Sequence, residues 1–408
     1  MDQNINGHKS LGFMAIFFIF RRLGLTSFGG PVAHLGFFRA EFIVKRKWLS
    51  EQSYLDIVSL CQFLPGPASS QVGMVLGYSQ KGYYGALAAW LGFTLPSAIA
   101  LTILAYALNG HNRWISPDVI HGLKLVSVAV VAQAVWGMAK ALCTDVARIT
   151  IMNFATCLML LFSSYSLVQI GVIAAAGLIG AFYFSPKQVS HHENLPIHIS
   201  HKAGAIWIGL FFLLLFLLPL LHEQFPNESL AVFSAFYRAG SLVFGGGHVV
   251  LPLLQAEVVP TGWVNSEAFL AGYGLTQAMP GPLFTFAAFL GASMTGNLTG
   301  WIGALICLLA IFLPSFLLVA GALPFWESLR RNVRIQAALI GINASVVGIL
   351  LAALYQPIWT SAVQSAQDFA IGLIAFVALM YWRTPPWLVV IFSGLLYWFI
   401  SFLVGTST

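Results

Sequence analysis

Two stretches of this chain interrupt apolar runs with residues that a helix cannot hold: Pro65-Gly66-Pro67 and Pro280-Gly281-Pro282. Proline removes a backbone donor and pushes aside the carbonyl one turn back, so each run must open into two half-helices. The second half starts at Ala68 or at Leu283, with its unpaired amides aimed into the interior. Helix N-termini carry partial positive charge and bind anions. Gln62 and Gln277 stand three residues before the two motifs. A second kind of break, Phe28-Gly29-Gly30 and Phe244-Gly245-Gly246, offers a flexible turn with close backbone approach. Arg22 and Arg238 lie six residues before those breaks, inside apolar stretches. An arginine at the bilayer centre costs about 2.5–3.5 kcal/mol, so it needs a partner or a role. Its fork of donors suits a tetrahedral oxyanion, which it can hold bidentately. The bland readings are packed kinks for the breaks and headgroup snorkelling for the arginines, above all for Arg22 beside Arg21.

Four titratable residues come next. Glu41 and Glu257 occupy matching places and could carry protons or counter the arginines, although wet loops are the simpler setting. His34 and His248 flank the Phe-Gly-Gly breaks at non-equivalent positions, so a shared coupling role is the weaker expectation. His191, His192, His198 and His201 crowd one polar stretch, but no cysteine or fixed scaffold joins them. They read as a solvated linker, and no metal site is expected. Cys61, Cys143, Cys157 and Cys307 lie in apolar stretches without CxxC spacing and read as small hydrophobes. The sequence has no Walker loop, HExxH, GxSxG or paired-aspartate motif, so no enzyme chemistry or cofactor is indicated.

The elements that hold these residues come in two copies. Beyond the breaks, Gly24 matches Gly240, Trp48 matches Trp263, Glu51 matches Glu267, and Leu95-Pro96-Ser97 matches Leu313-Pro314-Ser315; every pair is 215 to 218 residues apart. Of 408 residues 59% are hydrophobic and 8% charged, against about 25% charged in a soluble domain. Lipid must therefore be the solvent for most of the surface. Apolar runs of spanning length are clear at 84–108, 119–139, 205–221, 300–324, 335–355 and 386–404. Interrupted ones lie at 11–38, 53–78, 149–185, 230–251, 268–294 and 369–382. The expectation is an all-α polytopic membrane protein with about 12 or 13 helical segments, some broken or re-entrant.

Repeat 1 is expected over 11–185 and repeat 2 over 229–404, with a linker and one extra membrane helix over 186–228. One additional crossing would invert the second repeat. Charge agrees with inversion, because the loop bearing Arg39, Lys45, Arg46 and Lys47 is answered by one, Pro252 to Glu267, without Lys or Arg. The net charge of +6 is scattered over short loops and points to membrane anchoring rather than nucleic acid. The polar start, Met1 to Ser10, precedes a first helix that reads as retained rather than cleaved.

The paired Arg-x-Gly-x-x-x-Phe-Gly-Gly and Gln-x-x-Pro-Gly-Pro motifs closely resemble the chromate ion transporter family in its long two-domain form, over nearly the whole chain. That resemblance implies a multi-pass protein of the bacterial inner membrane that expels chromate and confers resistance. It also implies sulfate as a competing or counter-transported ion, and proton-motive coupling. Arg22, Arg238 and the residues of both kinds of break carry over as site residues. One departure is that Gly247 stands where the first copy has Pro31. Secondary active export of chromate is the leading expectation, with sulfate or other oxyanion uptake or exchange as the alternative. A membrane enzyme on lipid-linked phosphate would need clustered carboxylates at the breaks, and a non-transporting sensor would be indifferent to loss of Arg238. A homodimer is compatible with the sequence.

Overall fold

A computed structural model describes residues 11–109, 116–162, 167–186 and 199–404. Among them the regular structure is helical, with no strand. Helices α1 (Phe13–Thr26), α2 (Gly30–Phe38), α3 (Glu51–Phe63) and α4 (Ala68–Asn109) are followed by α5 (Pro117–Leu142), α6 (Val146–Leu161) and α7 (Leu167–Tyr183). Helix α8 (His201–Gln224) stands alone between the copies. The second set is α9 (Glu228–Ser241), α10 (Val250–Val258), α11 (Ser266–Gln277), α12 (Phe286–Ser293) and α13 (Gly300–Ala322). It continues through α14 (Trp326–Arg331), α15 (Val333–Ala353), α16 (Thr360–Ala362), α17 (Ala366–Met380) and α18 (Pro386–Val404).

Among the described residues six helices are long and apolar enough to cross a bilayer, and they contain the six clear apolar runs of the sequence. The interrupted runs are interrupted in fact. The run 11–38 splits between α1 and α2, 53–78 between α3 and α4, and 149–185 into α6 and α7. That is why more helical stretches appear than a count of spans suggests. Helix α4 is itself two antiparallel arms, folded at Lys81 and Gly82, whose backbone leaves the helical region. The arms meet so closely that a Cβ on Gly85 would stand 2.0 Å from the Gly77 carbonyl. Gly291 and Gly303 repeat the contact between α12 and α13, at 2.2 and 2.1 Å.

Lipid tails are as apolar as the helices, so packing rests on small residues that admit a neighbouring backbone. A Cβ on Gly24 would meet the Phe93 carbonyl at 2.6 Å, and one on Gly240 the Ile311 carbonyl at 2.2 Å. Helix α1 is thus seated on α4 as α9 is seated on α13. Polar caps start the corresponding helices alike: Ser50 accepts from the Ser53 amide at α3, and Asn265 from the Ala268 amide at α11. His191, His192 and His198 lie outside the described residues. His201 begins α8, its ring 5.3 Å from that of Phe325. Among the described residues no group of three or more His, Cys, Asp or Glu could hold a metal.

Candidate functional site

The breaks form because only glycine can take the backbone they need. Gly29, Gly30 and Gly66 have φ of +99°, +76° and +120°, and Gly245, Gly246 and Gly281 have +76°, +144° and +92°. The breaks then pair across the repeats. The Gly66 amide donates to the Val243 carbonyl at 2.7 Å, and the Gly281 amide donates to the Ser27 carbonyl at 2.9 Å. Each Pro-Gly-Pro break of one copy is therefore tied to the Phe-Gly-Gly break of the other. Reciprocal contacts of this kind are what a pseudo-twofold relation between the copies requires.

At one of these crossings the chain leaves a cavity of about 80 Å³, lined by Gly29, Gly30, Gln277, Gly281, Leu283 and His248, among others. Roughly 10–15 Å³ suffices for one water, so a small oxyanion or several waters fit. Helix α2 begins here on Gly29 without a side-chain cap, and the 3₁₀ turn Leu283–Thr285 begins here on Pro282, also uncapped. Two helix starts without side-chain caps, one from each repeat, thus line one space, although Pro31 at the start of α2 carries no amide donor. Gln277 also lines the cavity; its Nε2 is buried, makes no well-formed hydrogen bond and interacts with the Tyr273 hydroxyl. His248 Nδ1 lies 2.8 Å from the Tyr273 hydroxyl; a hydroxyl that donates to it leaves the ring proton on Nε2. Among the described residues no charged side chain lines this cavity, so an anion held here would be held by neutral donors and helix ends.

The remaining sequence candidates fall around the cavity. His34, 1% exposed, ties the first crossing together: Nε2 is 3.1 Å from the Ser27 carbonyl and Nδ1 3.3 Å from the Ser69 hydroxyl. Pro65, Gly66, Pro67 and Ala68 form the mirrored crossing with Val243 and the half-buried Phe244, while Phe28, Pro280 and Pro282, half-buried or buried, flank the first crossing. At that crossing Gly245 is covered: a Cβ on it would lie 3.3 Å from Met138 Cε and 3.5 Å from Asn343 Oδ1. A Cβ on its counterpart Gly29 would meet only Ala33 of its own helix, at 3.1 Å, and one on Gly30 would meet nothing within 4 Å, whereas one on Gly246 would lie 3.9 Å from Met138 Sδ; no other helix covers the first break. Gln62 is exposed at the end of α3.

Neither arginine lines the cavity. Arg238 is forked onto Glu257, with Nε to Oε1 at 2.9 Å and Nη2 to Oε2 at 2.6 Å. Arg22 is exposed on α1, and its counterpart carboxylate Glu41 pairs instead with Arg46 at 2.7 Å and Lys45 at 3.5 Å. Burial alone would raise the Glu41 carboxyl, but Arg46 and Lys45 hold it below the usual carboxylate range. The matched Arg and Glu positions therefore do different jobs in the two copies. The copies also differ after the break: Pro31 stands in the first turn of α2, with φ preset for a helix, whereas Gly247 starts a 3₁₀ turn, Gly247–Val249, that leads into α10.

Sequence reasoning did not single out Gln133, Thr276, Met279 or Pro386, which also line the cavity. Gln133 carried a readable signal, an amide inside the apolar run 119–139. Pro386 carried none, because only the α17–α18 turn brings it beside α5, where Gln133 Nε2 donates to the Leu379 carbonyl at 3.4 Å.

Opened helices from two like halves meeting at the centre of an all-α chain define a multi-pass membrane protein of the broken-helix, repeated class. The family described as Chromate transporter matches residues 14–181 and 230–398, and the chain belongs to it. It is 26% identical to a probable chromate transport protein of Synechococcus elongatus, over 97% of this chain and 98% of that one. It is also 26% identical to a chromate transport protein of Pseudomonas aeruginosa, over 96% and 93%. A chromate transport protein of Cupriavidus metallidurans is 25% identical over 88% and 85%. No solved structure matches the chain.

Proposed function

We propose that this protein is a secondary active transporter that exports chromate and so confers chromate resistance. The observation that carries the reading is the convergence of two uncapped helix starts and the Gln277 amide on one cavity without charged lining. Such a site presents neutral donors to the anion, and a tetrahedral dianion is acceptor-only. Holding it with neutral donors keeps binding weak enough for release, as transport requires. The covered break at Gly245 supports one-sided access: one crossing is open while its mirror is filled by Met138 and Asn343. Rocking of the repeats would exchange the two. The Arg238–Glu257 fork then holds α9 to α10 as one moving body, and Glu41, Glu257, His34 and His248 remain the groups through which protons would couple. Sulfate shares charge and shape with chromate and is the second reading, as substrate for uptake or exchange.

The test is radiolabelled chromate flux in proteoliposomes, with and without a pH gradient, for the wild type and Gln277→Leu. Gradient-driven flux that falls about tenfold or more in the variant is expected, since a hydrogen bond to a charged group is worth about 1.5–3 kcal/mol. Absence of oxyanion flux in the wild type, or flux indifferent to Gln277, would overturn it.

A further inference from the structure

Helix α5 belongs to the first copy but packs on α17 and α18 of the second, while α15 of the second packs on α6 and α7 of the first. Each copy thus lends a helix to the other. Only the first exchange carries a titratable bond: His121 Nε2 on α5 stands 2.9 Å from Asp368 Oδ1 on α17. Among the described residues this is the one histidine–carboxylate pair, and no ion pair joins α15 to α6 or α7.

Asp368 is 2% exposed, and its Oδ2 accepts from the Gln364 and Ser365 amides, each at 2.9 Å. Both carboxylate oxygens are therefore acceptors, and His121 donates from Nε2. The ring's lone pair is then on Nδ1, which makes no hydrogen bond and is not sealed in the interior. Histidine is the side chain whose charge ordinarily changes within about pH 5–8. A proton on Nδ1 turns the neutral donor into an imidazolium facing a carboxylate, a stronger bond. Other ionisable groups stand on the elements around it. Asp118, Lys124 and Lys140 share α5, and Lys124 is taken by Glu267 of α11 at 3.2 Å. Tyr397 of α18 sets its ring 4.6 Å from the imidazole and interacts with Asp368. Tyr273 of α11 is bonded to His248, while Tyr355 lies in the segment Leu354–Trp359 and Arg334 at the start of α15. Only Asp368 bonds the ring.

The pair sits at one end of the α5–α17 contact. At the other end Gln133 Nε2 donates to the Leu379 carbonyl, and Gln133 and Val130 line the central cavity. From His121 to Gln133 the helix rises about 18 Å. How firmly α5 is held at His121 therefore bears on where Gln133 stands at the cavity.

We infer that His121 and Asp368 form a proton-binding site that couples proton movement to the oxyanion in the central cavity. The inference rests on the proposed transport reading. Glu41 and Glu257 are held by arginines, whereas His121 gains and loses its charge against a fixed carboxylate. The proton enters at Nδ1 while the Nε2 proton stays on Asp368, and α5 carries the change to Gln133. By linkage, anion occupancy must shift proton occupancy in return.

Proteoliposomes of the full chain, given radiolabelled chromate with and without a pH gradient, test it. The ratio of gradient-driven to gradient-free flux should exceed one in the wild type. It should fall to one in His121→Gln, whose amide still donates to Asp368 but takes no proton. Asp368→Asn removes the charge that favours the imidazolium, so the pH dependence of the ratio should move to lower pH. Chromate itself takes up a proton near neutral pH, so each variant is compared with the wild type at the same two pH values, as monodisperse protein. A ratio unchanged in His121→Gln, or both fluxes lowered in proportion, overturns the inference while the anion site stands. So does a wild type whose oxyanion flux ignores the gradient. A wild type that moves no oxyanion removes the transport reading, and this inference with it.

Discussion

Replacing Gly281 by alanine strikes the crossing where the repeats meet. At φ +92° a residue with a Cβ is strained by about 1–3 kcal/mol. The added carbon would stand 3.0 Å from Ser97 Oγ and 3.2 Å from the Phe93 carbonyl. The hydroxyl can rotate away, but the carbonyl belongs to the α4 backbone, which moves only with its helix. Relieving φ by rotation breaks the 2.9 Å bond from the Gly281 amide to Ser27, worth about 0.5–1.5 kcal/mol. The strain is either kept or relieved at the expense of that bond, so the penalty is about 1–3 kcal/mol. Carried by the break while the rest stays folded, this lowers chromate flux per folded molecule about 5- to 150-fold at ~1.4 kcal/mol per decade. Gly262→Ala is the control, since φ there is +74° and a Cβ would meet nothing within 4 Å in an exposed loop. Its flux per folded molecule should match the wild type. A Gly281→Ala protein that transports as well as the control would refute the reasoning, because the opened backbone would then have no functional geometry to lose.

The other two predictions concern stability. Arg238→Gln leaves the Glu257 carboxylate, 20% exposed, without its fork, and thermal unfolding in detergent should show a loss of about 1–3 kcal/mol; adding Glu257→Gln should restore most of it, and a double variant no better than the single would remove the pair from the account. Gly240→Val forces a side chain into the 2.2 Å approach to the Ile311 carbonyl and should destabilise by about 1–3 kcal/mol or more, whereas Gly209→Val, in open space on α8, should be neutral; equal melting curves for the two would refute close α9–α13 seating.

Composition and patterning were enough for the lipid setting, the all-helical class and the duplication, because each depends on local properties that survive in one dimension. Apolar length defines a span, and Pro-Gly-Pro forbids a continuous helix wherever it falls. The breaks at Gly29, Gly66, Gly245 and Gly281 were legible for the same reason. Which break faces which was not legible, since the bonds Gly66–Val243 and Gly281–Ser27 join residues far apart in the chain. The fate of the arginines was equally hidden: Arg22 and Arg238 match in sequence, but only Arg238 finds its carboxylate, because Lys45 and Arg46 compete for Glu41 in the first copy. Tertiary packing alone decided that one crossing is open and its mirror covered. Two nearly equal repeats cannot both occupy the same side of one interface, and side chains as ordinary as Met138 fill whichever space the arrangement leaves.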